Sequence, residues 1–221
     1  MAAARGLYAK GVVKRAEILE TALQVVAEEG YSGATVKQIA DAVGLSQTGM
    51  LHYFGSKDAL FREILRRRDE INYASFGDPD HPPAEPINHF VDLIRHNAMV
   101  PGLVQLYSRL SNESAEPAHP SHDYFQERYE LSRQIGRTVL ERLQADDRIP
   151  PDLDPAQLAV LLAALSDGLQ TQWMYDQSLD MAAHIEYFLR LIGLQPEASP
   201  PPAESKGRSG DGRRRSRAPR R

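Results

Sequence analysis

Residues 35–57 read TVKQIADAVGLSQTGMLHYFGSK and contain the strongest local signals in the chain. Thr35 and Gln38 have the spacing of a capping box, in which a hydroxyl and a side-chain amide close the first turn of a helix. This helix ends at Gly44. Ser46 is positioned to cap a second short helix, which ends at Gly55. Two short helices joined by a tight turn predict a helix-turn-helix.

The second of these helices is predicted to have a buried side and a polar side. The apolar residues with the spacing to pack the two helices together are Ile39, Ala40, Val43, Leu45 and Met50. Gln47, Thr48 and His52 then lie on the outer side. A helix fits the major groove of DNA, where Gln suits adenine and Thr suits the thymine methyl group or a base acceptor. Gly49 has no side chain and would let the backbone approach DNA closely.

Hydrophobic periodicity predicts further helices on both sides of this motif. Their predicted ranges are 13–29, 57–73, 86–100, 103–115, 124–144, 155–175 and 179–191. Gly30 is expected to end the first of them in a left-handed conformation. Prolines between residues 79 and 86 mark a linker, and Pro101-Gly102 separates two helices. Because no strand-like alternation occurs, the fold is predicted to be all-α.

The composition of the 221 residues excludes several classes of function. There is no cysteine, which excludes disulfides, Cys-ligated zinc and a thiol nucleophile. No apolar run reaches the roughly 20 residues of a membrane span, and the N-terminus leads into no signal-peptide core. We therefore expect a cytoplasmic protein. The sequence contains no nucleophile elbow, phosphate-binding glycine loop or His-Glu-x-x-His motif, so we expect neither an enzyme nor a cofactor.

The net charge of −4 hides an uneven distribution. Residues 1–68 have a net charge of +3, residues 69–205 of −14 and residues 206–221 of +7. The basic ends are the places to look for phosphate contacts. The basic residues of the N-terminal arm, which precedes the first predicted helix, are Arg5, Lys10, Lys14 and Arg15. They either contact DNA or form a solvated terminus, and Arg66–Arg68 are expected on a solvated face.

Residues 196–221 contain prolines, serines, glycines and basic residues but no Val, Ile, Leu or aromatic residue. Such a segment buries too little apolar surface to offset the entropy lost on ordering, so the tail is predicted to be disordered. It either adds non-specific DNA affinity through counterion release or forms a solvated end.

The run GLSQTGMLHYFGSKDAL, residues 44–60, closely resembles the DNA-binding motif of the TetR family of bacterial transcriptional regulators. The motif combines Thr35 before the first short helix, Gly44-Leu45-Ser46 in the turn, His52-Tyr53-Phe54 at the end of the second helix, and Ser56-Lys57 at the start of the next. The resemblance covers about residues 13–65, and the remaining helices match the family in number, order and length.

The resemblance implies a homodimeric, ligand-responsive regulator, more often a repressor, that binds a palindromic operator and is released by a small-molecule effector. Residues 1–56, ordered from about residue 11, would form the DNA-binding domain, which we call the head. Residues 57–195 would form the effector-binding and dimerisation domain, followed by the tail at 196–221. The alternative is a DNA-binding regulator controlled by a protein partner or without a small-molecule effector.

The resemblance also assigns DNA contacts to single residues. Base contacts fall on Gln47, Thr48 and Gly49. Phosphate contacts fall on Thr35, Ser46, His52, Tyr53 and Lys57. Leu51 departs from the family, many of whose members have Tyr there. From the residues alone, Phe54 suits packing of the head, Tyr53 suits a packed ring with an outward hydroxyl, and Lys57 at a helix N-terminus needs a nearby anion such as a phosphate.

The C-terminal helices are predicted to hold both the dimer interface and the effector pocket. The helix at 155–175 is apolar nearly all round, so it should be buried on two sides. Together with the helix at 179–191 it would form a four-helix dimer interface. The effector pocket is expected among the helices at 86–115, 124–144 and 155–175. Its candidate residues are His89, Phe90, Leu93, His96, Met99, Tyr107, Tyr124, Gln172, Trp173 and Tyr175.

Each pocket candidate has a simpler interpretation as a core residue, and Trp173 suits the dimer interface equally. The acidic middle of the chain favours a neutral or cationic effector. A metal site would need several ligands to converge. The groups considered for it are His89, Asp92 and His96 on one helix face, and His119, His122 and Asp123 in a proline-containing loop. We expect no metal there, because polar pocket or loop residues account for both groups.

Overall fold

A computed structural model describes residues 2–75 and 86–196, and all regular structure in these two ranges is helical. The helices are α1 (Ala2–Gly33), α2 (Val36–Ala42), α3 (Gln47–Phe54), α4 (Lys57–Ser75), α5 (Pro86–Asn97), α6 (Pro101–Glu113), α7 (His122–Ala145), α8 (Pro155–Trp173) and α9 (Met181–Leu191). The all-α prediction is confirmed. Most of the predicted proline linker and residues 197–221 of the predicted tail lie outside the described residues. In the part of the chain that is described, no helix is long and apolar enough to cross a membrane.

The predicted caps form around the two short helices. The Thr35 hydroxyl oxygen accepts a hydrogen bond from the Gln38 backbone N–H at 3.1 Å, and the Gln38 side-chain oxygen accepts one from the Thr35 backbone N–H at 2.9 Å. The Ser46 hydroxyl oxygen accepts from the Gly49 N–H at 3.0 Å. These bonds satisfy N–H groups that the first turn of a helix leaves without partners. The predicted capping box and the Ser46 cap are confirmed.

Four helix starts differ from the prediction, those of α7 and α9 by two residues each. Helix α1 begins at Ala2, so the backbone of the basic arm is helical instead of preceding the first helix. The Ala-rich start has high helix propensity, which favours this extension. Helix α6 begins at Pro101 and therefore includes the Pro-Gly pair that was predicted to precede it. Proline is well tolerated at the first position of a helix because its missing N–H has no partner there.

Gly30 breaks α1 as predicted, with a different conformation from the one expected. Its φ of 73° and ψ of 168° lie outside the helical region. The positive φ agrees with the prediction, but the ψ is extended rather than left-handed helical. This combination is accessible essentially only to glycine. Gly30 thus allows the chain to turn sharply before α2.

Two apolar cores hold the helices together. The first joins α1–α4 to α6 and α7 through residues that include Ile18, Ile39, Met50, Phe61, Leu106 and Phe125. The second joins α5, α7, α8 and α9 through residues that include Val91, Leu140, Leu158, Trp173, Ile185 and Leu189. Burying each large side chain stabilises the fold by about 1.5–3 kcal/mol. Because the first core continues into α6 and α7, the helix-turn-helix is anchored directly to the C-terminal helices.

One close contact between these regions is at Gly102 in the first turn of α6. A Cβ atom at this position would lie 1.8 Å from the Val26 carbonyl oxygen of α1 and 2.9 Å from the Gly30 Cα atom. Only glycine leaves room for this approach. Helix α1 therefore packs backbone to backbone against the start of α6.

Helix α8 is covered on one side only within one chain. Leu158 and Leu169 are buried, whereas Val160 and Leu161 are 49% and 52% exposed. The predicted burial on two sides is thus not met inside this chain, because no other helix of the described residues covers the second side. Trp173 is buried in the second core.

Candidate nucleic-acid interface and effector cavity

Helix α3 has one buried side and one polar side. Met50 and Phe54 are buried against the rest of the head, while Gln47 and Thr48 at the first turn are exposed. The Ser46 oxygen accepts the Gly49 N–H, so the hydroxyl hydrogen remains available to donate to a phosphate. The arrangement presents the N-terminal turn of α3 outward, as a helix that enters the major groove requires.

The eight residues predicted to contact DNA are exposed, apart from Gly49, which is half-buried. A Cβ atom at Gly49 would lie 3.3 Å from the Ser46 hydroxyl oxygen. Glycine therefore also suits the cap of α3, independently of DNA. The Thr35 hydroxyl donates to the Gln38 side-chain oxygen at 2.7 Å, so a phosphate at Thr35 would compete with this bond.

Aromatic and basic side chains surround the end of α3 and the start of α4. The rings of His52 and Tyr53 meet edge to face at 6.4 Å. The Lys57 ammonium lies 5.4 Å from the centre of the Phe61 ring. Ser56 caps α4 by accepting the Ala59 N–H at 3.1 Å. A cation in the first turn opposes the helix dipole, so a phosphate beside Lys57 would improve the local electrostatics.

The basic arm has partners within the chain. Lys14 pairs with Glu17 at 3.2 Å, and Arg15 pairs with Glu63 at 2.9 Å while its guanidinium lies 5.2 Å from the centre of the Phe54 ring. The buried Phe54 agrees with its packing interpretation. The side chains of the other two arm residues, Arg5 and Lys10, lie outside the described residues.

A cavity of about 190 Å³ lies between α4, α5, α6, α7 and α8. Its apolar walls include Ile87, Phe90, Leu93, Ile135, Val139 and Leu162. Its polar walls include Arg68, Asp69, Tyr107, Arg128, Tyr129 and Asp167. A mostly apolar cavity with a few convergent polar groups is typical of a small-molecule site.

The polar residues around the cavity form a connected hydrogen-bond network. The Arg128 Nε donates to an Asp69 oxygen at 2.9 Å, and the Tyr124 hydroxyl donates to the same oxygen at 2.7 Å. Arg128 Nη1 also donates to the Tyr107 hydroxyl at 3.1 Å. That hydroxyl lies 2.9 Å from an Asp167 oxygen. The network links α4 to α6, α7 and α8 across the cavity.

Burial governs the ionisation of the tyrosines in this network. It raises the pKa of Tyr107 well above the usual value of 10, and the nearby Asp167 carboxylate adds to the increase. Burial likewise raises the pKa of Tyr124, with Asp69 as the main neighbouring carboxylate. Both hydroxyls therefore remain protonated donors throughout the neutral pH range.

The structure brings three of the ten predicted pocket residues, Phe90, Leu93 and Tyr107, to the cavity wall. Tyr124 lies behind the wall and holds Asp69, and Trp173 belongs to the second core. Met99 and Tyr175 are 66% and 90% exposed because they follow the ends of α5 and α8. The remaining predicted residues that do not line the cavity are His89, His96 and Gln172.

The sequence prediction omitted α4 from the cavity. This helix contributes Arg68, Asp69, Asn72 and Tyr73 to the wall. Arg68 was expected on a solvated face with its neighbours, and that expectation is wrong. Arg68 follows the buried Leu65 by three residues, so helical spacing turns it inward. The spacing predicts an inward position for Arg68, whereas the run of three arginines suggested a solvated face.

Two of the histidines considered for a metal site, His119 and His122, form hydrogen bonds to Ser114, which follows the end of α6. His119 Nδ1 lies 3.0 Å from the Ser114 hydroxyl, and His122 Nδ1 lies 2.8 Å from the Ser114 carbonyl oxygen. Within residues 2–75 and 86–196, no three His, Cys, Asp or Glu side chains are grouped so as to hold a metal ion.

Two sequence families match the chain. Residues 18–64 match the family described as bacterial regulatory proteins, tetR family, and residues 120–193 match the C-terminal region of BetI-type transcriptional repressors. The second match extends the similarity beyond the residues that the sequence motif covers. It also shows that the likeness of the C-terminal helices goes further than number, order and length.

Individual relatives and solved structures agree with this assignment. The transcriptional repressor AcnR of Corynebacterium diphtheriae is 33% identical over 161 residues, covering 71% of this chain and 78% of that protein. The repressor KstR2 of Mycobacterium tuberculosis is 28% identical over 149 residues, covering 64% and 72%. A TetR transcription regulator from Haloarcula marismortui has the same fold, with a TM-score of 0.68, 20% identity and coverage of 82% and 97%. The chain therefore belongs to the TetR family of DNA-binding bacterial transcriptional regulators, as the motif at residues 44–60 predicted.

Proposed function

We propose that this regulator is a repressor that binds a palindromic operator as a homodimer and leaves it when a small molecule occupies the cavity. The observation that carries the proposal is the position of α4. This helix begins at Lys57, directly after the α3 helix, and its second half supplies Arg68, Asp69, Asn72 and Tyr73 to the cavity wall. A ligand in the cavity therefore acts on the same helix that follows the DNA-reading helix.

Release requires that the ligand bind the two conformations of the protein with different affinity. In the proposed mechanism, the ligand favours a conformation in which α4 shifts and the two heads lose the spacing of the operator half-sites. AcnR, KstR2 and the BetI-type family are repressors, which supports repression rather than activation.

The proposed DNA contacts follow the exposed positions of the head. Gln47, Thr48 and Gly49 would reach base edges in the major groove. The phosphate contacts would come from Thr35, Ser46, His52, Tyr53 and Lys57. The outward N-terminal turn of α3 supports the first group, and the Ser46 hydroxyl hydrogen supports a phosphate contact there.

The proposed dimer interface is the uncovered side of α8 together with α9. Val160, Leu161 and Ala164 form an exposed apolar surface on α8, and Tyr187 and Leu191 are exposed on α9. A second copy of the chain would cover this surface. Two heads must be held at a fixed separation of about 34 Å to read half-sites one helical turn apart, which a dimer provides.

Selection of bound sequences from a random DNA library tests the proposal. A two-fold symmetric consensus is expected, and the selected duplex then serves to screen compounds for release. Enrichment of a single half-site would contradict the dimer. Binding without any enrichment would contradict specific reading by α3. Leu161→Glu should abolish the dimer in sedimentation and weaken binding to the two-fold site, with binding to one half-site retained.

The alternative is a regulator controlled by a protein partner or without a small-molecule effector. A cavity with apolar walls and convergent charged groups supports the small-molecule function instead. If no compound from a chemically broad library released the selected operator, while a protein from the same cell did, the alternative would replace the proposal.

A further inference from the structure

The two carboxylates that line the cavity are already held by donors of the protein. Asp69 accepts hydrogen bonds from Arg128 and Tyr124. Asp167 receives the Tyr129 hydroxyl on one oxygen at 2.7 Å and lies 2.9 Å from the Tyr107 hydroxyl on the other. Each of these charges is therefore stabilised before any ligand enters.

The guanidinium of Arg68 is in a different situation. It donates to the Asn97 side-chain oxygen and, at 3.5 Å, to the Leu103 carbonyl oxygen, and both acceptors are neutral. Among residues 2–75 and 86–196, no carboxylate oxygen forms an ion pair with it. A guanidinium carries five N–H donors, so three remain for a further acceptor. Burial and the nearby Arg128 guanidinium lower the pKa of Arg68 to about 10.

The rest of the cavity suits an uncharged, apolar group. Phe90 and Leu93 of α5, Ile135 and Val139 of α7, and Leu162 of α8 line it. A ligand that is charged along its whole length would lose its hydration against these walls without compensation. A complementary ligand has one charged end and an apolar body.

We propose that the effector is a small carboxylic acid with an apolar body, whose carboxylate pairs with Arg68 while the body lies against Phe90, Leu93 and Leu162. This inference rests on the proposed function, which takes the cavity as the effector site. The planar guanidinium matches a carboxylate with two parallel hydrogen bonds.

A cationic ligand fits the polar end less well. It would approach both Arg68 and Arg128, and the Arg128 guanidinium already lies 4.5 Å from the centre of the Tyr107 ring. This face of the Tyr107 ring is therefore already occupied by a cation. The ligand charge is thus opposite to what the net charge of −14 over residues 69–205 favours. Residues that line a cavity, rather than the whole domain, determine the charge that the cavity accepts.

The pairing of Arg68 with a ligand carboxylate would also couple the cavity to the head. Arg68 joins α4 to Asn97 at the end of α5 and to Leu103 in the first turn of α6. The adjacent Gly102 packs against the α1 backbone. A ligand carboxylate bound to the remaining Arg68 donors would draw the guanidinium towards the cavity and lengthen its hydrogen bonds to Asn97 and Leu103. Ligand binding would then loosen the connection between α4 and α6, the helix on which α1 rests.

Isothermal titration calorimetry with the full chain tests the ligand class. Octanoate, octanamide and octylamine each contain eight carbon atoms and differ in the charge of the head group. We expect octanoate to bind at least about tenfold more tightly than the amide and the amine. The free energy of a hydrogen bond to a charged group corresponds to a factor of this size in affinity. Arg68→Gln should remove the preference. Arg66→Gln, on the exposed side of the same helix, is the matched control and should keep it.

Several outcomes would overturn the inference. One is equal binding of octanamide and octanoate. Another is unchanged octanoate affinity in an Arg68→Gln variant that melts cooperatively. A third is no binding of either octanoate or the more compact cyclohexanecarboxylate. In each case another compound could still release the selected operator, and the proposed function would stand. Conversely, Arg68-dependent binding of octanoate without release of the operator would support the ligand class and contradict the proposed release.

Discussion

The exposed face of α3, which we call the reading face, and the cavity differ in one respect. The residues that hold their polar groups in place lie close together along the sequence at the first and far apart at the second. Around α2 and α3 the caps join residues three apart, as in the bonds between Thr35 and Gln38 and between Ser46 and Gly49. Around the cavity, Asp69 and Arg128 are 59 residues apart, and Tyr107 and Asp167 are 60 apart. The exposed face is thus built locally, whereas the cavity depends on the packing of five helices.

This difference separates the two functions physically. Under the proposed function, a substitution on the exposed face would change what the protein binds and leave the core intact, since exposed sites usually contribute less than about 0.5 kcal/mol to stability. A substitution in the buried network leaves a polar partner unsatisfied, which costs about 1–3 kcal/mol. DNA specificity can therefore vary one residue at a time, while the cavity changes as a unit.

The largest effect is expected at Gly102, where the two regions are joined. Gly102→Ala would force α1 and α6 apart, because the new Cβ atom would lie 1.8 Å from the Val26 carbonyl oxygen. We expect a loss of about 3 kcal/mol in the free energy of unfolding. The midpoint of thermal unfolding should fall by about 6–12 °C.

Gly168→Ala in α8 is the control for this substitution. Among the described residues of one chain, a Cβ atom at Gly168 would meet no other atom within 4 Å, so alanine should raise the stability of that chain by about 0.5–1 kcal/mol. If Gly102→Ala melted at the same temperature as the wild type, α1 and α6 would not be in backbone contact. The head would then be joined to α6 by the side chains of the first core, without the backbone contact at Gly102.

Gln47→Ala and Thr48→Ala test the independence of the reading face. Each should cost about 1–3 kcal/mol of binding at one or two base pairs, because a base-edge contact is lost. Competition binding against operators with single base changes measures this loss. The free energy of unfolding should remain within about 0.5 kcal/mol of the wild type, since both side chains are exposed. A clear loss of stability would mean that the face also supports the fold.

Tyr107→Phe tests the cavity network through the pH dependence of stability. Because the pKa of Tyr107 is raised in the folded state, the folded protein keeps this proton above pH 10, where the unfolded chain releases it. The stability contribution of the hydroxyl is therefore complete below pH 10 and is lost as the pH rises. The loss from one such tyrosine reaches about 1.4 kcal/mol at about pH 11.

Urea denaturation of both proteins at about pH 9 and pH 11 measures this loss. The fall in stability should be smaller in Tyr107→Phe by the contribution of that tyrosine. The lowered pKa of Arg68 acts in the opposite direction in both proteins. An equal fall in both proteins would mean that Tyr107 loses its proton in the folded state, and that the network does not exclude water.

The separation along the sequence of the residues in contact also explains what could be predicted from the sequence. The capping box at Thr35 and the cap at Ser46 depend on residues three apart, so spacing alone identified them. The cavity wall depends on how distant helices pack, which spacing on one helix does not specify. Phe90 and Tyr107 were identified as apolar or aromatic residues of the correct helices. Tyr175 was included because its helix was predicted to reach residue 175, whereas α8 ends at Trp173.

Arg68 illustrates the limit of interpretation by residue type. An arginine beside two others suggests a solvated surface, although its spacing from Phe61 and Leu65 turns it inward. The long stem of arginine can line an apolar wall while its head bonds to buried acceptors. Helical position was in this case a better guide than charge.

The smallest effect is expected for Lys57→Ala, which tests whether affinity and specificity are separate on the head. Lys57 is exposed at the start of α4, and its proposed partner is a phosphate. The variant should weaken binding to all DNA sequences alike and reduce the slope of log K against log salt by about one unit per subunit. Titration of labelled duplexes at several salt concentrations measures both quantities.

Arg137→Ala is the charge-matched control, because Arg137 is exposed on α7 and pairs with Glu141. Removing this charge should leave the salt slope unchanged, since α7 lies outside the head. If Lys57→Ala altered the preferred sequence while Thr48→Ala did not, the division between phosphate and base contacts would be reversed. The start of α4 would then take part in reading the operator, and a shift of α4 on ligand binding would change specificity as well as spacing.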